Sequence, residues 1–131
     1  IKLTNLSENY SVFELAENYL AKNKQKVSKI LNENNFANDE CVLILRTILN
    51  RSKRLLKLKE NHNQTRNIDL TISSFRPPIF WKEKEIVKKQ IQSWTNDEVK
   101  NMIYKINELE ILVKKNSNSS LNFVSDFVSN Y

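Results

Sequence analysis

The sequence contains no glycine among its 131 residues. Phosphate-binding loops need glycine, because only a residue without a side chain lets successive backbone N–H groups approach the anion. The sequence therefore excludes a P-loop and a glycine-rich dinucleotide-binding turn. Two-residue hairpin turns also favour glycine where φ is positive, so its absence argues against a sheet built from tight hairpins. The chain instead contains 19 asparagines, which we expect to take left-handed positions at helix ends.

Cysteine and histidine each occur only once. A structural zinc site needs about four such ligands, so we expect no metal site. Cys41 falls on the apolar face of a predicted helix, where a free thiol behaves as a small apolar side chain. His62 lies in a polar run and is expected to be an exposed loop residue rather than a catalytic base. We therefore expect no catalytic residue, no cofactor and no small-molecule substrate.

Long apolar runs and a secretory signal pattern are absent as well. No segment approaches the roughly 20 apolar residues that span a membrane, and the N-terminal residues do not follow the order of a signal peptide. A lone thiol suits a reducing compartment. We expect a cytoplasmic protein without membrane contact. The first residue is Ile1 rather than Met, which indicates a fragment of a longer protein or a processed terminus.

Apolar residues recur with helical spacing along most of the chain, which predicts an all-α fold of six or seven helices in one compact bundle. We expect one domain over residues 1–131: three helices in 1–59, a polar loop, a short helix and a proline joint in 60–80, and three helices in 81–131. The start signals are Ser11 with Glu14 for the first helix, Asn38 for the third, and Thr95 with Glu98 for the sixth.

The remaining predicted helices have weaker boundaries. The second covers about 24–34 and the third about 39–59. The segment 68–75 is interpreted as a short helix, although its β-branched residues also suit a strand. The fifth helix covers 81–93 and ends at Trp94. The last one carries an apolar stripe that finishes at Tyr131.

The only two prolines adjoin one of the two tryptophans, in the segment Arg76-Pro77-Pro78-Ile79-Phe80-Trp81-Lys82. Proline fixes its own φ, lacks an N–H and disfavours the α conformation in the preceding residue, so no helix runs through this joint. We expect the aromatic residues to pack in a hydrophobic corner, with a ligand groove as the alternative. Trp81 and Trp94 are expected to lie at opposite ends of the fifth helix, both largely buried.

The third predicted helix has a basic face. Six basic residues and no acidic one lie between residues 46 and 59, and helical spacing gathers four of them opposite the apolar stripe: Arg46, Lys53, Arg54 and Lys57. Such a face suits nucleic-acid phosphates or an acidic partner. The simpler interpretation is a solvated surface, because no aromatic residue interleaves the charges to stack on bases. We expect DNA contact to be weak and non-specific at most.

Glu110 interrupts the apolar stripe of the sixth predicted helix. A buried carboxylate must be paired, hydrogen-bonded or protonated, and Lys114 at i+4 is the nearest partner in sequence. Glu110 either reaches solvent near the helix end or makes a polar contact that fixes the register against another helix or subunit. Neither role is catalytic, because no second positioned group accompanies it.

Four segments in register resemble the C-terminal domain of the delta subunit of the bacterial DNA polymerase III clamp loader. They are Leu45-Arg46 with Arg54-Leu55-Leu56-Lys57-Leu58, the joint Pro77-Pro78-Ile79-Phe80-Trp81-Lys82, Trp94 before a capped helix, and Glu110-Ile111-Leu112-Val113-Lys114. The resemblance covers the chain from about residue 5 to residue 131. This chain departs from the family pattern at Asn116-Ser117, where many members have a glycine, and it lacks the glycine often found before the proline joint.

This resemblance implies an all-helical collar domain, through which clamp-loader subunits assemble into a pentameric ring. The implied partners are subunits of the gamma/tau and delta-prime types. The parent would be a three-domain, non-ATPase component of a DNA-directed DNA polymerase holoenzyme, a transferase, whose other domains open the sliding clamp. The candidate interface or structural residues are Arg76, Pro77, Pro78, Phe80, Trp81, Lys82, Lys84, Lys88, Trp94, Glu110 and Lys114.

We therefore expect an oligomerisation domain in DNA replication rather than an enzyme. We further expect Lys82, Lys84 and Lys88 to project from the fifth helix towards a neighbouring subunit. One alternative is a free-standing helical nucleic-acid-binding domain that uses the basic helix 46–59. Another is a helical adaptor of unrelated descent.

Overall fold

The apolar periodicity of the sequence is realised as seven α-helices. A computed structural model describes residues 2–130, with side chains described from Tyr10 onward. Helix makes up 84% of it, and the described residues contain no strand, so the all-α prediction is confirmed. In chain order the helices are α1 (Lys2–Leu20), α2 (Lys24–Glu33), α3 (Asn38–Thr65), α4 (Ile68–Ser74), α5 (Lys84–Ser93), α6 (Asn96–Lys115) and α7 (Ser120–Ser129). Short 3₁₀ turns at Trp81–Glu83 and Ser117–Ser119 precede α5 and α7, and Tyr131 lies outside the described residues.

Helix α3 occupies the centre of the bundle, where it contacts α1, α4, α5, α6 and α7. Its apolar stripe is fully buried at Ile44, Leu45 and Ile48. Cys41 lies on the same stripe and is buried, as predicted. Burial raises the pKa of its thiol, which keeps the sulfur protonated and unreactive.

The capping box predicted at the start of α6 is present. The Glu98 backbone N–H donates to Thr95 Oγ1 over 3.1 Å, and the Thr95 N–H donates to Glu98 Oε1 over 2.8 Å. These two bonds satisfy backbone donors that the helix itself leaves unpaired. Trp94 directly precedes this box and ends α5, also as predicted.

Positive φ angles within the described residues occur at Lys22 (56°) and Arg66 (54°), so the expectation that asparagine would fill the left-handed positions was wrong. The reason is that the connections are very short. The residue after each left-handed one is already the N-cap of the next helix, and asparagine is used there. Asn23 and Asn67 each accept a hydrogen bond from the backbone N–H three residues on.

Two predicted helix boundaries were also wrong. Helix α1 begins at Lys2, so Ser11 lies inside the helix rather than at its N-cap. Helix α3 continues through the polar run to Thr65, which places His62 in its last turn instead of in a loop. Polarity signals solvent exposure, and without glycine or proline it does not stop a helix.

The start of α3 differs in detail from the prediction. Asn38 is the first helical residue, and the N-cap is Ala37. Glu40 Oε1 accepts the Ala37 backbone N–H over 2.8 Å, so the acidic residue rather than asparagine satisfies the helix start.

The second half of the chain follows the predicted order. The ambiguous segment forms helix α4 and not a strand. The fifth helix begins as the 3₁₀ turn at Trp81 and becomes α-helical at Lys84. Lys59 of α3 donates to the Ile91 carbonyl in the last turn of α5 over 2.8 Å, where the orphan carbonyls of a helix end favour a cation. Burial lowers the pKa of Lys59.

Candidate protein-interaction surface

The segment between α4 and α5 exposes its aromatic pair. Phe80 is 53% and Trp81 is 74% exposed, with ring centroids 6.0 Å apart. Lys82 places its Nζ 5.4 Å from the Trp81 ring centroid. The prediction that Trp81 is buried was therefore wrong. Ile79 packs against the core in place of the aromatic rings, and the following turn carries Trp81 to the outside.

Trp94, in contrast, is 8% exposed, as predicted. Its indole Nε1 donates to the Leu20 carbonyl at the end of α1 over 2.6 Å. The ring packs against Tyr19, with centroids 5.9 Å apart, and Lys22 Nζ lies 4.3 Å from its centroid. Trp94 therefore joins the end of α5 to the end of α1.

A network of two arginines and two glutamates lies behind the exposed corner. Arg51 Nε of α3 is 2.9 Å from Glu17 Oε1 of α1, and Arg54 Nη1 is 3.7 Å from Glu83 Oε1 in the 3₁₀ turn. Gln90 of α5 donates to both the backbone carbonyl and Oε2 of Glu17, each over 3.0 Å. Burial, and then the like charge of Arg51, lowers the pKa of Arg54, although guanidinium stays protonated at neutral pH. The network fixes α1, α3 and the start of α5 against one another.

The network was missed in the sequence analysis. Helical spacing groups Glu17 with Glu14 and Asn18 on the polar face of the first helix, yet Glu17 is almost fully buried. Its partners are distant in sequence, so no i+3 or i+4 spacing reveals them. The one available signal is that α3 holds three of the five arginines of the chain, Arg46, Arg51 and Arg54, since arginine is the cation that buried ion pairs prefer.

A cleft beside the corner extends the exposed apolar area onto α1. It has a volume of about 450 Å³ and is lined in part by Tyr10, Phe13 and Lys82. Tyr10 and Phe13 are both exposed, although helical spacing groups Phe13 with Val12 and Leu15 on the apolar face of the first helix. We call Tyr10, Phe13, Phe80 and Trp81 the aromatic surface, because the first two line the cleft and the last two directly precede Lys82, which also lines it. Exposed apolar patches of this kind are typical of protein-binding sites.

Lys84 and Lys88 do not project freely from α5. Their Nζ atoms lie 3.2 and 2.8 Å from Asp69 Oδ1, which joins α5 to α4. The hydrogen bond from Lys88, followed by that from Lys84, lowers the pKa of Asp69. Both lysines thus have a partner within the chain, and their contact with a neighbouring subunit stays a prediction.

The predicted basic face is divided by the fold. Arg46 pairs with Glu110, and Arg54 is mostly buried within the arginine–glutamate network. Lys53 and Lys57 are exposed and make no ion pair within the described residues. The four residues therefore do not form one continuous solvent-facing cationic surface.

Glu110 makes a contact with another helix. Its Oε1 accepts from Arg46 Nε of α3 over 3.1 Å, and its Oε2 lies 3.5 Å from Lys114 Nζ. Partial burial acts to raise the pKa of Glu110, but the hydrogen bond from Arg46 and the charge of Lys114 outweigh it and leave the pKa below its ordinary value. Of the two roles considered for Glu110, the polar contact between helices is the one observed.

No group of metal-binding side chains occurs in the part of the chain that is described. Across residues 2–130, no helix has both the length and the apolar character needed to cross a membrane. Comparisons with protein-family models, curated proteins and solved structures give no match to this chain.

Proposed function

We propose that this chain is a subunit-assembly domain, specifically the collar domain of a clamp-loader delta subunit acting in DNA replication. The observation that carries the proposal is the exposed Phe80–Trp81 pair on a corner held by Ile79 and the arginine–glutamate network. Tryptophan, tyrosine and arginine dominate the binding energy of protein interfaces. A rigid support lowers the entropy lost when such side chains are immobilised by a partner.

The sequence resemblance supplies the identity of the proposed partners. The segments that resemble the delta collar include the Pro77–Lys82 joint, and this joint presents the exposed aromatic pair. The proposed partners are clamp-loader subunits of the gamma/tau and delta-prime types, in the cytoplasm. The domain has no enzymatic role of its own in this proposal, and the parent subunit contributes to the polymerase holoenzyme without hydrolysing ATP.

A nucleic-acid-binding function is the second candidate, and it is favoured by Lys53 and Lys57, which are exposed and make no ion pair in the described part of the chain. Two lysines neutralise few phosphates, however, and the neighbouring arginines are engaged by carboxylates. We expect duplex DNA to bind with a Kd no tighter than about 10⁻⁶ M at physiological salt. Tighter binding that Lys53→Glu and Lys57→Glu abolish would favour this second candidate over assembly.

The assembly proposal is tested by measuring the affinity of the chain for purified gamma/tau-type and delta-prime-type subunits from the same organism. Trp81→Ala should weaken binding about thirtyfold or more, because loss of an interface hot spot costs about 2 kcal/mol or more. Tyr104→Ala is the matched control, since Tyr104 is 67% exposed on α6 and lies outside the aromatic surface. Biolayer interferometry gives both affinities.

Equal affinities for the parent chain and Trp81→Ala would remove the aromatic surface from the interface. An absence of binding by the correctly folded parent chain would contradict the assembly function itself. Circular dichroism of each variant establishes that the fold is retained.

A further inference from the structure

We propose that a groove between α3 and the proline joint binds an acidic peptide segment that carries an apolar side chain. The groove has a volume of about 410 Å³ and is lined by Lys53, Arg54, Lys57, Phe75, Arg76 and Pro77. This site is separate from the aromatic surface, and the inference goes beyond the proposed function without resting on it.

The charge of the groove is of one sign. Its lining includes four cationic side chains and no acidic one. Lys53 and Lys57 lie one helical turn apart, where side chains are neighbours, and both are exposed without an ion pair in the described structure. An occupant therefore brings negative charge to these two lysines.

The two arginines are held in place at the groove. Arg76 Nη1 donates to the Phe75 carbonyl over 2.9 Å and to the Ser73 carbonyl over 3.3 Å. Arg54 forms ion pairs with two glutamates: its Nη1 lies 3.7 Å from Glu83 Oε1, and its Nη2 lies 3.9 Å from Glu17 Oε1. Side chains that are fixed before binding lose less entropy when a ligand arrives.

The apolar part of the lining comes from Phe75 and Pro77. The Phe75 side chain is buried, so the groove offers no open aromatic face on which a nucleic-acid base could stack. Its volume suits one or two apolar side chains rather than a duplex. A peptide with an apolar residue between acidic ones matches both parts of the lining, whereas a phosphate backbone matches only the charge.

The experiment uses a fluorescently labelled synthetic peptide with a leucine–phenylalanine pair flanked by aspartates, and measures anisotropy with the 131-residue chain. We expect saturable binding that the double substitution Lys53→Glu and Lys57→Glu weakens about tenfold. A peptide with serine in place of the apolar pair should also bind about tenfold more weakly, because the apolar contact is lost. The control substitutions Lys100→Glu and Lys105→Glu, on α6, should change the affinity by about twofold or less.

Several results would overturn the proposal. They are the absence of saturable binding, equal binding of the serine peptide, or an equal loss for the α6 control. Tighter binding of a single-stranded DNA oligonucleotide of the same net charge would identify a nucleic-acid surface instead. Trp81→Ala should leave peptide affinity unchanged, so failure here and failure of the assembly proposal are distinguishable.

Discussion

The two tryptophans have the same side chain and opposite surroundings, and hydrogen bonding explains much of the difference. The indole N–H of Trp94 reaches the Leu20 carbonyl, which the end of α1 leaves without a helical donor. Trp81 lies in a 3₁₀ turn outside the bundle, where Lys82 covers part of one ring face. Burying Trp94 therefore stabilises a helix end, while Trp81 stays available to a partner.

Trp94→Ala and Trp81→Ala should consequently have unequal effects on stability. We expect Trp94→Ala to lower the free energy of unfolding by about 3 to 5 kcal/mol and Trp81→Ala by no more than about 0.5 kcal/mol. Urea denaturation followed by circular dichroism measures both. Similar midpoints for the two variants would contradict the assignment of one tryptophan to the core and the other to the surface.

Glu110 should make stability depend on pH in the acid range. Its pKa is lowered in the folded state, so its contribution is complete above the ordinary value of 4.5 and is lost as the pH falls through the lower folded pKa. In Glu110→Gln, stability should fall less steeply as the pH is lowered through this range. At higher pH its stability curve should run parallel to that of the parent chain. Glu108→Gln, at an exposed position on the same helix, serves as the control.

Thermal unfolding at a series of pH values from neutral to acid gives these curves. An acid limb of equal slope in Glu110→Gln and in the parent chain would show that the pair with Arg46 contributes no stability.

At the level of individual residues, sequence spacing was informative where the partner lies within the same helix or the same stripe. The burial of Cys41 and the capping by Thr95 and Glu98 followed from such spacing. It failed for Trp81 and Glu17. The environment of each depends on an element that is distant in sequence, and a single sequence without aligned relatives carries no record of that contact.

Among the elements, α1, α3 and α5 are joined by polar groups as well as by apolar packing. Glu17 forms an ion pair with Arg51 of α3 and accepts a hydrogen bond from Gln90 of α5. Lys59 of α3 donates a hydrogen bond to a backbone carbonyl at the end of α5. Such contacts are directional, so they fix rotation and register where apolar packing alone tolerates sliding. The corner that carries Trp81 is supported by this arrangement through Glu83.

Removing the charge of Glu17 should therefore loosen more than one helix. We expect Glu17→Gln to destabilise the fold by about 2 to 3 kcal/mol, because two partly buried arginines then share only Glu83. Glu14→Gln on the same helix is the control and should change stability by no more than about 0.5 kcal/mol.

Hydrogen exchange of backbone amides measures how Glu17→Gln changes the local stability of each helix. We expect faster exchange in α1 and in the start of α5 for Glu17→Gln. Unchanged exchange in both would show that the network is not what holds these elements together.

Element boundaries were predictable where a cap or a proline marks them. The limits of α2, α4 and α6 were close to prediction for this reason. The start of α1 and the end of α3 were not, because the flanking residues are polar yet fully compatible with helix. A local pattern such as Ser11 with Glu14 starts a helix only if the preceding residues are not already helical.

The molecule as a whole has a formal net charge of +6, and part of its positive charge is paired with carboxylates within the fold. Several cations are engaged inside the fold by Glu17, Glu83, Asp69 and Glu110, whereas Lys53 and Lys57 of the groove are among the exposed cations that make no ion pair within the described residues. Four of the eight large apolar residues that are exposed in the described structure belong to the aromatic surface. Two faces of one rigid bundle thus have distinct chemistry, as expected of a domain that contacts other proteins.

The most direct test of the assembly function is site-specific photo-crosslinking from position 81. A photoreactive amino acid replaces Trp81 in one chain and Tyr104 in another, and each chain is mixed with the gamma/tau-type and delta-prime-type subunits. We expect crosslinks to one of these subunits from position 81 and none from position 104, identified by mass spectrometry. Equal crosslinking from both positions, or none from position 81, would contradict it.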